Sequence, residues 1–170
     1  MKFVVQAVLG LSLAFAAPAF AAAPDAAHVK AVQGLLSTMQ IEKVLLGVAS
    51  RSHYQSQDQR KAVFAKLDKT PPAEVYQRLA PALAPAISAD TAAEMTRFYN
   101  TPYGKQVIYR KYNSRAQIIL PGMVEAVSPE EKKARQRAAY ARASKELAAA
   151  EPAIEHEAFK LLQQINKEKR

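Results

Sequence analysis

The stretch that decides the fold is residues 88–123, SADTAAEMTRFYNTPYGKQVIYRKYNSRAQIILPGM. It opens on Ser88, a favoured N-cap residue, and the apolar residues that follow are three or four apart, as on one face of a helix. Thr101 and Pro102 then break the run, because proline lacks the N–H that a continuing helix needs and suits the first position of a new one. A second apolar stripe with helical spacing follows. We therefore predict two helices forming a central hairpin with a tight corner at Thr101, Pro102 and Gly104, where the missing side chain of Gly104 allows close approach.

The residues at this corner resemble a known family. FYNTPYGK, at positions 98–105, is similar to the FY-x-[ST]-P-x-G-K core of a bacterial family catalogued as domain of unknown function 2059. The resemblance covers residues 88–105 and is diffuse elsewhere, and Ala92 departs from the larger aliphatic residue that the family usually shows. It implies an exported, all-helical protein of the bacterial envelope. It brings no catalytic residue.

The N-terminus has the pattern of a cleavable signal peptide. Lys2 precedes an apolar run at 3–17, and small residues follow as far as Ala23. This run is shorter than the roughly 20 residues that a transmembrane helix needs, and no later segment is apolar enough to span a bilayer. We expect removal of residues 1–21 and a single domain at 22–170. The expected location is the periplasm, with secretion as the alternative.

Composition favours helices. The chain contains no cysteine, which excludes disulfides and thiolate chemistry, and its five glycines are too few for glycine-rich phosphate loops. Alanine is abundant, and residues that favour strands rarely alternate with polar ones. The expected fold is an all-α, compact multi-helix bundle. Removal of Lys2 changes the formal charge from +9 to +8, and a basic exported protein suits anionic partners.

Helix signals occur along the rest of the chain as well. Asp25 is expected to cap a first helix that bends near residues 37–38, and Ser128 with Pro129 is expected to start a helix that reaches towards the C-terminus. That long C-terminal helix is either continuous or interrupted near Pro152. Its apolar residues at seven-residue spacing should pack back onto the domain, with a partner-binding arm as the alternative; these are Tyr140, Leu147, Ile154 and Leu161.

Basic and aromatic residues alternate through the hairpin, and no acidic residue lies between Glu94 and Glu125. Arginine can grip carboxylates or phosphates, and tyrosine offers apolar area with a polar tip. The alternative is that the tyrosines fill the core while the cations are only solvated. A second basic run, at 132–145, is expected to be a solvated helix surface. The candidate binding face comprises Arg97, Tyr99, Tyr103, Lys105, Tyr109, Arg110, Lys111 and Arg115.

Motifs for catalysis or metal binding are weak. The histidines are scattered, and neighbouring residues such as Glu155, His156 and Glu157 point in different directions on a helix. Glu151 and Glu155 share a helix face, but an acid–base pair would also need burial and a cleft. We therefore predict no catalytic residue, metal or cofactor.

The expected function is that of a non-enzymatic helical binding protein whose partner is another envelope protein. A narrower version is a partner that blocks an envelope enzyme. Nucleic acid is not expected, because the chain carries an export signal. One alternative is direct binding of anionic lipid or cell-wall polymer, and another is a cell-wall hydrolase.

Overall fold

The computed structural model describes residues 25–113 and 128–168, and this part of the chain is all-helical, without strands. The predicted signal peptide at 1–21 and Arg115 of the candidate face lie outside the described residues, as does the second half of the apolar stripe after the corner. No helix within the described ranges is long and apolar enough to cross a membrane. The helices are α1 (Ala26–Thr38), α2 (Glu42–Arg51), α3 (Gln57–Asp68), α4 (Pro72–Leu83), α5 (Ala89–Tyr99), α6 (Pro102–Asn113), α7 (Pro129–Arg135) and α8 (Ala138–Lys167).

Side-chain caps start five of these helices. The side chains of Asp25, Ser56, Ser88, Thr101 and Ser128 each accept a hydrogen bond from the backbone N–H three residues further along. Such a cap contributes typically about 1 kcal/mol, because it satisfies one of the N–H groups that the first turn leaves without a partner. The caps at Asp25, Ser88 and Ser128 confirm the sequence prediction.

One hydrophobic core joins the described helices. Helix α1 packs against α4 and α5, while the 30-residue α8 runs along α2, α3, α4, α5 and α7. The apolar residues of α8 at seven-residue spacing are all buried in this core, which confirms that the helix packs back onto the bundle. These residues are Tyr140, Leu147, Ile154 and Leu161.

The corner between α5 and α6 is built as the sequence predicts. The Thr101 hydroxyl donates to the Phe98 carbonyl (2.7 Å) and accepts from the Gly104 N–H (3.0 Å), so one side chain bridges the end of α5 and the start of α6. Pro102 is the first residue of α6. A Cβ on Gly104 would lie 2.1 Å from the carbonyl oxygen of Phe98 and 2.6 Å from Cα of Tyr99. The two helix ends can therefore meet this closely only around a glycine.

Helix α8 continues through Pro152, so the interruption offered there as an alternative is wrong. Proline removes only one N–H from the helix, the one that would pair with the Ala148 carbonyl, and buried neighbours such as Ala150 and Ile154 hold the flanking turns in place. The chain instead turns earlier, between α7 and α8. Arg137 has an extended backbone there (φ −84°, ψ 119°).

The link between α1 and α2 is a Schellman motif. The Ile41 N–H donates to the Leu36 carbonyl (3.1 Å), and the Gln40 N–H donates to the Ser37 carbonyl (3.0 Å). Gln40 occupies the left-handed position (φ 53°), which glycine usually fills. The bend predicted near residues 37–38 therefore lies just after Thr38, where α1 ends.

Gln40→Gly is expected to raise the free energy of unfolding by about 1 kcal/mol, because glycine adopts a positive φ without the steric cost that glutamine pays. Urea denaturation of the two proteins measures the difference. Gln40→Ala, which keeps a Cβ, should bring no such gain. A glycine variant that is less stable than the parent would contradict this account of the link.

Candidate binding surface

The predicted basic and aromatic face does not form one exposed surface, because most of its tyrosines point inward. Tyr99 and Tyr103 pack against the core, with ring centroids 5.5 Å and 6.2 Å from that of Phe98. Burial raises the pKa of Tyr99 to about 12, with smaller contributions from Tyr140 and Glu151. Tyr109 is different, since 67% of its surface is exposed. Tyr99 and Tyr103 are therefore partly buried against the core, which agrees better with the alternative interpretation than with an exposed binding face.

Two cations of the same face form ion pairs with acidic residues. Arg97 forms an ion pair with Glu94, and the Lys111 ammonium lies 3.1 Å from a carboxylate oxygen of Glu151 in α8. The Arg110 guanidinium lies 5.8 Å from the ring centroid of Tyr103. The segment contains no acidic residue, but acidic residues outside it lie close to its cations in the folded protein. Lys105 is exposed to solvent.

The second basic run lies beside the first. The Tyr103 hydroxyl donates to Glu131 of α7, which joins the start of α6 to that helix. Arg137, at the start of α8, reaches a carboxylate oxygen of Glu94 at 2.7 Å. The Phe98 and Tyr140 rings pack with their centroids 4.7 Å apart. Helix α7 and the first turns of α8 therefore lie against the α5–α6 corner.

The first run and the second run as far as Arg142 form what we call the basic surface, residues 94–113 and 128–142. It contains nine basic and three acidic residues, a net charge of +6 out of +9 for the whole chain. Charge concentrated in this way attracts anions over distances of about a Debye length, roughly 8 Å at physiological salt. Its basic residues are Arg97, Lys105, Arg110, Lys111, Lys132, Lys133, Arg135, Arg137 and Arg142.

A cleft of about 420 Å³ opens within the basic surface, between α5 and the first turns of α8. Its rim carries Arg97 and Arg142 together with Asp90 and Glu94, and its walls are partly alanine. Near this cleft Glu146 of α8 accepts hydrogen bonds from the Ser88 N–H (2.6 Å) and hydroxyl (3.1 Å). Burial opposes ionisation of Glu146, but these hydrogen bonds outweigh it and hold its pKa below the usual value. These hydrogen bonds fix α8 to the start of α5 beside the cleft.

A second concavity of about 440 Å³ lies between α2, α6 and α8. Its floor is apolar, and Glu151 and Glu155 stand at its rim. Their side chains are 61% and 63% exposed, and each faces a cation, Lys111 at 3.1 Å and Arg51 at 3.3 Å. Exposed carboxylates that are already paired with cations are poorly placed to exchange protons with a substrate. This groove therefore suits recognition better than hydrolysis.

The three histidines lie apart from one another. His28 Nε2 is 2.7 Å from the Ile87 carbonyl oxygen and ties α1 to the segment before α5. His53 lies in the α2–α3 link, and His156 is exposed on α8. Within the described residues no three His, Asp or Glu side chains are grouped as metal ligands would be.

Comparisons of the chain with protein-family models, with curated proteins and with solved structures found no match. The resemblance of residues 88–105 to domain of unknown function 2059 therefore stays a prediction.

Proposed function

We propose that the protein is a non-enzymatic helical binding protein of the bacterial envelope, and that its basic surface binds an acidic partner protein. The observation that carries the proposal is the meeting of the two basic runs on one side of the bundle, held there by the Glu94–Arg137 ion pair and the Phe98–Tyr140 contact. The export pattern at residues 1–21 and the family resemblance support the envelope as the compartment.

The composition of the basic surface favours a protein over a lipid bilayer. Five of its nine cations are arginines, and the exposed Tyr109 lies among them in sequence. Arginine and tyrosine are enriched at protein–protein interfaces, whereas lysine is depleted there. A cleft within the surface offers a concave site that a protruding side chain can enter and a flat bilayer cannot.

The structure also decides which residues are suitable for a test. Arg110 and Lys111 would be the obvious pair from sequence, but Arg110 lies against the Tyr103 ring of its own helix and Lys111 pairs with Glu151 of α8. Lys105 and Lys132 are exposed, and each is the fourth residue of its helix. Lys30 and Lys61 are exposed at comparable positions of α1 and α3 and provide a matched control.

We expect a photo-crosslinking residue in place of Gln106, which is exposed beside Lys105, to capture a discrete acidic protein in intact bacteria. Lys105→Glu with Lys132→Glu should abolish the adduct and weaken binding of the purified partner at least tenfold, because like charges then face each other. Lys30→Glu with Lys61→Glu should leave the adduct and the affinity for the partner unchanged. Circular dichroism should show equal helix content in all variants.

Two results would overturn the proposal. One is a crosslinked adduct that still forms when the charges of Lys105 and Lys132 are reversed. The other is binding to vesicles of phosphatidylglycerol that depends on these lysines and disappears with salt, without any protein adduct, since that behaviour belongs to a lipid-binding protein.

A further inference from the structure

The cleft between α5 and α8 carries a specific arrangement of charge. Glu94 is largely withdrawn from solvent, with 10% of its side chain exposed, and it forms ion pairs with both Arg97 and Arg137. One carboxylate cannot neutralise two guanidinium groups, so the three residues together keep a charge of +1. This excess lies at the rim of a cleft that also contains Arg142.

Arg142 has no carboxylate within salt-bridge distance among the described residues, although its charge helps to keep Glu146 ionised. Arg142 is exposed to solvent. The opposing charge on the rim is Asp90, in the first turn of α5. The cleft lining itself is balanced, with Arg97 and Arg142 against Asp90 and Glu94. Arg137 pairs with Glu94 beside the cleft and brings these five residues to a net charge of +1 (3 − 2 = +1).

Space for a ligand is provided by small side chains. Ala93 of α5 and Ala139 of α8 line the cleft and are exposed, and Ala143 is buried at its base. None of them extends beyond Cβ, so the arginines of the rim border an open space of about 420 Å³. A longer side chain at Ala139 would reduce this space without changing the charge.

We infer that this cleft binds a side-chain carboxylate of an acidic peptide segment, held between Arg97 and Arg142. Planar guanidinium groups pair with carboxylates through two parallel hydrogen bonds, which gives orientation as well as attraction. Asp90 repels a free anion but accepts hydrogen bonds, so it suits a backbone N–H of the same segment. The combination of an anion site and a nearby acceptor matches a peptide better than a bare anion. This inference rests on the proposed function and names the group that the partner inserts.

The test uses the chain without residues 1–21 and a fluorescein-labelled hexaglutamate peptide, with binding followed by fluorescence anisotropy at two salt concentrations. Ala139→Leu fills the cleft without altering charge, and Arg142→Gln removes one guanidinium group. Each is expected to weaken peptide binding at least tenfold. Ala149→Leu, at an exposed position of α8 that does not line the cleft, is the matched control and should bind as the parent does.

The outcomes separate this inference from the proposed function. If Ala139→Leu binds the peptide like the parent while Lys105→Glu with Lys132→Glu does not, the basic surface stands and the cleft is not the site. Inorganic phosphate is added at a concentration that supplies as much negative charge as the peptide. If it displaces the peptide, the cleft is a simple anion site and the inference fails. Helix content and melting temperature of Ala139→Leu, measured beside those of Ala149→Leu, show whether a loss of binding reflects misfolding. If Ala139→Leu unfolds, loss of binding in a folded Arg142→Gln decides the matter.

Discussion

Gly104→Ala is expected to destabilise the protein by roughly 3 kcal/mol or more, at the upper end of what overpacking costs. The added Cβ would lie 2.1 Å from the Phe98 carbonyl oxygen, 2.8 Å from the carbonyl carbon and 2.6 Å from Cα of Tyr99. All three atoms belong to the backbone, so no side chain can rotate away to make room. The end of α5 and the start of α6 would have to separate, and the Thr101 hydroxyl would lose its bonds to both.

Gly34→Ala provides the control for this prediction. Gly34 lies within α1, and a Cβ there would meet no other atom within 4 Å. Alanine favours a helix interior by up to about 1 kcal/mol over glycine, so this variant should be as stable as the parent or slightly more stable. Urea unfolding of the two variants side by side measures the contrast. Equal stability of Gly104→Ala and the parent would mean that the corner is not the close contact described above.

Phe98→Ala is expected to cost about 3–5 kcal/mol, the range found when a buried phenylalanine is removed. The Phe98 ring is buried and contacts three other rings, with centroid distances of 4.7 Å to Tyr140, 5.5 Å to Tyr99 and 6.2 Å to Tyr103. Since this aromatic cluster joins α5, α6 and α8, its loss should also separate the two basic runs. Thermal unfolding measures the stability of the variant.

The control for the aromatic cluster is Phe159→Ala. Phe159 is 43% exposed on α8, so truncation should cost less than about 1 kcal/mol, as expected for a partly solvated side chain. A similar loss in both variants would show that Phe98 contributes no more than a surface phenylalanine. Phe98→Leu, which keeps most of the apolar volume, should fall between Phe98→Ala and the parent.

Local signals predicted much of this fold. The caps at Asp25, Ser88 and Ser128, the corner at Thr101 and Pro102, and the buried spacing of α8 all follow from preferences that act within one turn or along one helix face. These preferences do not depend on residues that are distant in sequence. The same reasoning left open whether the last helix continues through Pro152, where surrounding packing outweighs one lost hydrogen bond, and it did not find the turn at Arg137.

The α1–α2 link shows another limit of local signals. Glycine or asparagine normally marks a left-handed residue at a helix end, but here the position is held by Gln40. The fully buried Leu36 and Ile41 on either side stabilise the motif, so packing selects a conformation that the local residues do not favour.

By itself the sequence determined the helices, their caps and the α5–α6 corner, because these depend on hydrogen bonds and side-chain spacing between near neighbours. Only the tertiary structure decided which charges lie together. It packed Tyr99 and Tyr103 against the core, paired Arg97 and Arg137 with one Glu94, and placed α7 and the start of α8 beside the corner. Coulombic interactions depend on the distance between charges in space. When other helices separate two charged residues in sequence, their separation along the chain does not reveal that distance.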